Sequence, residues 1–357
     1  MLFHLLVPLA EQFSAFNVFR YITFRTAAAT LTALFLSFLL GPPIIRALGR
    51  RRVGQPIREI GPDHQEKEGT PTMGGLLILL SLAVSVLLWA DLTNRAIWIV
   101  LGLTLGYGVL GFIDDYRKVS EGHSDGLSAR VKFFWQWLLA IGVALLIYAD
   151  PAFDGELAVP FFKDFTPQLG WLYVPLAAFV IVAASNGVNL TDGLDGLAIG
   201  PVMIASATFL VLAYAAGHAT IADYLAIKAV PGSGQLAIFC GALVGGGLGF
   251  LWFNTYPAQL FMGDVGALAL GGALGAIAVV IRQEILLAVV GGIFVVETLS
   301  VMIQVISFKL TGRRVFRMAP VHHHFEQIGW AEQQIVVRFW IVSIILALVA
   351  LSSLKLR

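Results

Sequence analysis

Charge is what this sequence has least of. Of 357 residues only 13% are Asp, Glu, Lys or Arg, against 58% apolar, whereas soluble domains carry about 25% charged and about 45–50% apolar residues. So few charges cannot cover a water-facing surface, and lipid must be the solvent for most of the chain. The mean hydropathy of +0.84 agrees. Cysteine is nearly absent as well. The single Cys240 excludes a disulfide framework and a cysteine-built zinc site. With 23 basic and 22 acidic residues the net charge is +1, which excludes an electrostatic nucleic-acid binder. The apolar patches of residues 1–19 lack a basic flank and include His4, Pro8, Glu11 and Gln12, so a short interfacial helix over about 1–20 is expected there rather than a cleaved signal peptide. No internal repeat is evident, which removes the usual signature of an inverted-repeat transporter.

What is there is a succession of long uncharged runs. A bilayer core of ~30 Å needs roughly 17–25 helical residues per crossing, and ten segments qualify: 26–45, 73–90, 96–113, 133–149, 171–188, 197–217, 236–253, 265–281, 285–308 and 339–354. The expected fold is an all-α polytopic bundle of ten transmembrane helices forming one domain over 1–357, with a small hairpin over about 151–170. Ten crossings put both termini on one side. The loops after spans 1, 3, 5, 7 and 9 then share the other side and hold 15 of the 23 Lys and Arg, which by the positive-inside rule makes that side cytoplasmic and both termini extracytoplasmic.

Acids at a membrane boundary are costly without partners or a task, so their placement is informative. Asp114 and Asp115 end the third span, Asp192 and Asp195 follow the fifth within Asn189-Leu190-Thr191-Asp192-Gly193-Leu194-Asp195-Gly196, and Asp264 opens the eighth after Phe261. His322, His323 and His324 follow the ninth. All fall on the basic, cytoplasmic loops, as one composite polar site would require. Adjacent acids can simply be solvated or paired with Arg117 and Lys118. The functional reading is a hard divalent cation, since Mg²⁺ takes one or two carboxylates plus substrate phosphates. Neighbouring helical residues point about 100° apart, so a division of labour between metal ligand and general base is expected of Asp114 and Asp115. Asp264 is the leading metal ligand.

The Asn189–Gly196 stretch is not an EF-hand, because Gly200 stands where the twelfth-position acid belongs. Asn189, Asp192 and Asp195 share a helical face, which can bind a ligand or merely cap a helix. The histidines lack cysteine neighbours, and beside Arg313, Arg314 and Arg317 they suit an anionic substrate better than zinc. The glycine runs at 241–249 and 271–275 lack the Gly-Lys-Ser/Thr of a P-loop and are expected to pack helices closely. Glu297, in the middle of the ninth span with Gln304 two turns on, must face the bundle interior, either lining a lipid groove or locking helices together.

Taken in order, the motifs Gly69-Thr70-Pro71-Thr72-Met73-Gly74-Gly75, Asp114-Asp115, Asn189 to Gly196, Phe261-Met262-Gly263-Asp264, Ala319-Pro320-Val321-His322-His323-His324-Phe325-Glu326 and Arg338-Phe339-Trp340 resemble the phospho-N-acetylmuramoyl-pentapeptide transferases, a branch of the polyprenyl-phosphate N-acetylhexosamine-1-phosphate transferases. The likeness runs the length of the chain. It implies an Mg²⁺-dependent transfer from UDP-MurNAc-pentapeptide to undecaprenyl phosphate on the inner face of a bacterial cytoplasmic membrane, giving lipid I and UMP, by a homodimer. In that reading Asp264, with Asp115, holds the metal and Asp114 deprotonates or orients the lipid phosphate. Lys118, Lys132 and the three histidines hold phosphate oxygens. Lys67, Asn189, Asp192, Asp195, Asn254, Phe261 and Gln304 bind substrate, with Phe261 stacking on uracil. Direct attack and an aspartyl-phosphate intermediate both remain open. A UDP-GlcNAc-using relative and an ion-coupled transporter are the alternatives, and the second predicts acids near mid-membrane rather than gathered at one boundary.

Overall fold

The computed structural model describes residues 1–50, 69–121, 126–151, 153–162 and 165–354. Among the described residues there is no strand, and an isolated antiparallel bridge joins Glu156 and Gln168. The rest is helix: α1 (Leu2–Leu6), α2 (Ile22–Arg50), α3 (Gly75–Trp89), α4 (Arg95–Glu121), α5 (Ala129–Tyr148), α6 (Tyr173–Thr191), α7 (Ile199–Ala216), α8 (Ala219–Leu225), α9 (Leu236–Asn254), α10 (Gly263–Val280), α11 (Glu284–Val290), α12 (Gly292–Thr311), α13 (Val321–Gln327) and α14 (Glu332–Ser352). The protein is a polytopic, all-α membrane bundle. Nine of the described helices are long and apolar enough to cross a bilayer.

Ten crossings are expected from hydropathy, and the difference lies in α3. It has 15 residues, about 22 Å at 1.5 Å per residue, because the residues just before it are committed elsewhere. Phe261 N–H donates to the Pro71 carbonyl, Gly74 N–H to Phe261 and Gly75 N–H to Met262, each at 2.8 Å. These bonds strap the entry of α3 to the entry of α10 and leave Thr72 and Met73 out of the helix. The expected ninth span also differs: it breaks at Gly291 into short α11 and the 20-residue α12. The N-terminal stretch comprises α1 and two 3₁₀ turns, Pro8–Glu11 and Ser14–Arg20.

Glycine sets the packing. α10 runs through the centre against α4, α6 and α3, while α9 packs on α2, α7 and α3. A Cβ on Gly75 would lie 2.1 Å from the backbone nitrogen of Gly266, one on Gly271 2.4 Å from the carbonyl oxygen of Ala184, and one on Gly245 2.0 Å from that of Thr30. Such approaches are what small residues permit in lipid, where no hydrophobic effect draws helices together. Between α2 and α3, Ser37 bonds Ser81 at 3.1 Å and Ser85 donates to the Ala29 carbonyl at 2.6 Å.

The two ends of the bundle differ in chemistry. At one end a cavity of about 370 Å³ is lined by Arg95, Asp150, Phe153, Lys228 and Arg282 among others. Its cations are already paired, Lys228 with Asp154 and Glu156, and Arg95 with Asp150. The opposite end gathers the C-termini of α4, α6 and α9 with the N-terminus of α10.

Candidate active site

Two helices bring three acids to one point. Asp114 and Asp115 sit in the last two turns of α4 and Asp264 in the first turn of α10. One carboxylate oxygen from each lies within 4.8 Å of the others. The crossing that allows this is tight, since a Cβ on Gly111 would meet the Asp264 carbonyl oxygen at 2.2 Å. Asp114 is fully buried and Asp115 nearly so.

The expectation that adjacent helical acids diverge meets a local remedy. Leu127 N–H donates to Oδ1 of Asp114 at 2.7 Å and Val265 N–H to Oδ2 of Asp115 at 3.1 Å. Each bond fixes one carboxylate, and one oxygen of each lies within 4.8 Å of an Asp264 oxygen. Both side chains reach Asp264 despite the roughly 100° between their Cβ directions. Gly263 belongs to the same construction. Its φ is +71°, a left-handed conformation natural to glycine, and a Cβ there would lie 2.5 Å from Oδ2 of Asp115.

Two lysines stand among the acids. Lys118 Nζ is 2.6 Å from Asp114 Oδ2, 3.2 Å from Asp264 Oδ2 and 3.6 Å from Asp115 Oδ1. Lys132 Nζ, from α5, is 3.0 Å from Asp114 Oδ2 and 2.8 Å from Asp264 Oδ2. Asn189 Nδ2 donates to Asp264 Oδ1 at 2.8 Å. Three carboxylates against two ammonium groups leave a site of net negative charge whose hard oxygen donors suit a divalent cation. The same ammonium groups are placed to receive phosphate oxygens.

Beside this cluster the Asp192–Gly196 turn ends α6. Asp192 is partly buried, and burial first, then the charges of Asp264, Asp115 and Asp195, push its carboxyl up to about 8. The turn is fixed from several directions. Asp195 N–H donates to Glu332 at 2.8 Å, Ala258 N–H donates to the Asp195 carboxylate at 3.0 Å, and Trp340 Nε1 donates to the Gly196 carbonyl at 3.2 Å. Asn254 is buried, accepting from Gly196 N–H and donating to the Leu260 carbonyl, so its amide ties the turn to the Phe261 segment.

The remaining expected residues fall outside the acid cluster. Gln304 accepts from Val315 and Phe316 N–H, both at 3.0 Å, and donates to the Phe316 carbonyl at 2.9 Å; its amide pins the loop leading to α13. His323 Nδ1 is 2.6 Å from Glu326, and His324 Nδ1 accepts from Arg317 N–H at 3.2 Å. His322 is fully buried under Gly193. Phe261 is half-buried, its main chain bonded to Pro71 and Gly74. Lys67 lies outside the described residues. Sequence reasoning misses Glu332 and the two backbone N–H groups on Asp114 and Asp115. A Glu in the first turn of a helix is ordinary, so Glu332 carries no signal of its own.

Comparison with known proteins bears on this arrangement. The model of glycosyl transferase family 4 matches residues 97–282, and phospho-N-acetylmuramoyl-pentapeptide-transferase signature 1 matches residues 67–79. Proteins named phospho-N-acetylmuramoyl-pentapeptide-transferase from Pelobacter propionicus and Citrifermentans bemidjiense are each 59% identical over 358 residues, covering 100% of both chains. One of the same name from Desulfosudis oleivorans is 60% identical over 359 residues, again across 100% of both chains.

Proposed function

The chain belongs to the phospho-N-acetylmuramoyl-pentapeptide-transferase family and is a membrane transferase, and on that footing we propose the reaction in full: phospho-MurNAc-pentapeptide passes from UDP-MurNAc-pentapeptide to undecaprenyl phosphate, giving lipid I and releasing UMP. The observation that carries this reading is the meeting of Asp114, Asp115 and Asp264 within 4.8 Å, with two lysines among them. The reaction exchanges one phosphoanhydride for another and needs no energy source, only positioning and charge neutralisation.

Asp115 and Asp264 would hold Mg²⁺, which would supply Lewis-acid polarisation of the diphosphate. Asp114, hydrogen-bonded by Leu127 N–H and paired with both lysines, orients the attacking phosphate of the lipid and takes its remaining proton. Lys118 and Lys132 exchange part of their pairing with the acids for the incoming phosphate oxygens, so charge is neutralised where it develops. Asn189 fixes the orientation of Asp264 by donating to its Oδ1. Asp192, Asp195 and Phe261, with Lys67, hold the nucleotide. His323 and His324, both on α13, would take phosphate oxygens of the substrate. The site faces the cytoplasm of a bacterial inner membrane, because the basic loops share its end of the bundle, and with short α3 as the tenth crossing both termini lie outside. The working unit is a homodimer, and the whole chain acts as one catalytic domain.

UMP release from purified protein given both substrates tests the proposal. Release should require undecaprenyl phosphate and stop with EDTA and with Asp264→Asn. Turnover of UDP-GlcNAc but not UDP-MurNAc-pentapeptide would refute the substrate assignment.

A further inference from the structure

Glu297 is an acid placed where water does not reach. It is fully buried in α12, and neither of its carboxyl oxygens has a hydrogen-bond partner. The polar group beside it is the imidazole of His322 in the first turn of α13, whose Nδ1 lies 3.1 Å from Oε2 of Glu297. His322 is equally buried, and its ring nitrogens likewise have no hydrogen bond. An isolated carboxylate in such a place is strongly disfavoured, so these two side chains are each other's partner.

The far edge of the ring explains what the pair supports. A Cβ on Gly193 would lie 2.3 Å from His322 Nε2 and 2.9 Å from Cε1. Gly193 itself is exposed, so the Asp192–Gly193 turn lies over the imidazole and separates it from the site. In this arrangement a substrate phosphate meets the turn and not the ring. Asp192, one residue away, lies within electrostatic reach of Asp264 and Asp115.

We propose that Glu297 is a positioning residue: by holding Nδ1 of His322 it fixes the Nε2 edge beneath Gly193 and so sets the Asp192–Gly193 turn for the nucleotide. The inference rests on the reading of that turn given under Proposed function. Glu297 then serves neither as a lining of the lipid groove nor as a simple bolt between helices. A bolt would affect every kinetic parameter along with stability. A support for this turn acts selectively on the nucleotide.

The test uses the full-length protein in detergent. Michaelis constants for both substrates, kcat and thermal midpoint are measured for wild type, Glu297→Gln, His322→Gln, the double variant and Gly193→Ala. The isosteric Glu297→Gln, which removes the charge facing Nδ1, should raise KM for UDP-MurNAc-pentapeptide roughly tenfold or more, less than the full cost of breaking a buried ion pair. Its KM for undecaprenyl phosphate and its thermal midpoint should hold. The double variant should be no worse than His322→Gln alone, because one removes the object the other positions. Gly193→Ala, which displaces the ring from the exposed side, should raise the same KM and decides the matter if Glu297→Gln fails to fold. An unchanged nucleotide KM in the folded variants, independent effects that multiply, or a parallel fall of every parameter with stability would overturn the inference. Wild type that turns over UDP-GlcNAc instead would overturn only the substrate reading, and the same ratios would then be read on that nucleotide. Wild type that releases no UMP from either overturns both.

Discussion

Gly111 of α4 lies directly against the backbone carbonyl of Asp264, so that a Cβ at position 111 would sit 2.2 Å from its oxygen. The contact is between helix backbones, and no flexible side chain can move aside. Three residues later on α4 come the acids that Asp264 must meet. The width of one methyl group therefore separates an assembled carboxylate cluster from a spread one.

Gly111→Ala is expected to destabilise the protein by about 1–3 kcal/mol, the usual range for overpacking, and to lower UMP release more than tenfold as α4 and α10 part. Gly102→Ala on the same helix is the control, since a Cβ there meets nothing within 4 Å. Thermal unfolding and turnover measured on both variants check this; equal behaviour would mean that the crossing does not govern the site.

Much of this was legible from sequence, for a physical reason. Lipid makes acids expensive, so Asp114, Asp115 and Asp264 at helix ends stand out against apolar neighbours, and the basic loops show which ends belong together. Hydropathy sees less well where hydrogen bonding overrides it. Met73 is as apolar as any residue of a span, yet the strap from Pro71 to Phe261 keeps it out of α3. Helical geometry alone gives the angle between Asp114 and Asp115 but not the N–H groups of Leu127 and Val265 that hold the two carboxylates, because these come from other segments of the chain. Glu297 announced itself as an intramembrane acid, but its partner His322 stood in a motif that reads as one run of three equivalent imidazoles. Burial makes them inequivalent.

Lys132 competes with any cation for Asp264, its Nζ lying 2.8 Å from Oδ2. Lys132→Met removes a positive charge from between two acids. Divalent cations should then bind several-fold more tightly, seen as a lower half-saturating Mg²⁺ concentration, while kcat falls roughly 10–100-fold because charge on the transferring phosphate loses a fixed partner. Weaker Mg²⁺ dependence in this variant would argue that the ammonium supports the metal rather than competing with it.

Asp192 gives the site a pH signature in the absence of metal. Its carboxyl is raised from 3.8 to about 8, so between those values the folded protein holds a proton that the unfolded chain has released. Stability from this group is greatest below about pH 4 and declines as pH rises toward 8. Asp192→Asn cannot ionise and escapes that decline. Its thermal midpoint in EDTA, relative to wild type, should rise steadily from pH 5 to pH 8. A difference that does not vary with pH would mean that the carboxyl ionises normally in the fold.

Phe261 is held by its main chain, its N–H donating to Pro71 and its carbonyl accepting from Gly74, so the half-buried ring is presented from a fixed backbone. If it carries the uracil, Phe261→Ala should weaken nucleotide binding by roughly 5- to 100-fold, the range for loss of one base–aromatic stack. Phe261→Tyr, which keeps the π face, should retain affinity. Competitive inhibition by UMP isolates this contact, because UMP lacks the MurNAc residue and peptide that bind elsewhere. Its inhibition constant should rise in step with KM for the whole substrate. A ring that only packs predicts the reverse pattern, with lower thermal stability and an unchanged UMP inhibition constant, since losing packing area affects the fold whether or not nucleotide is present.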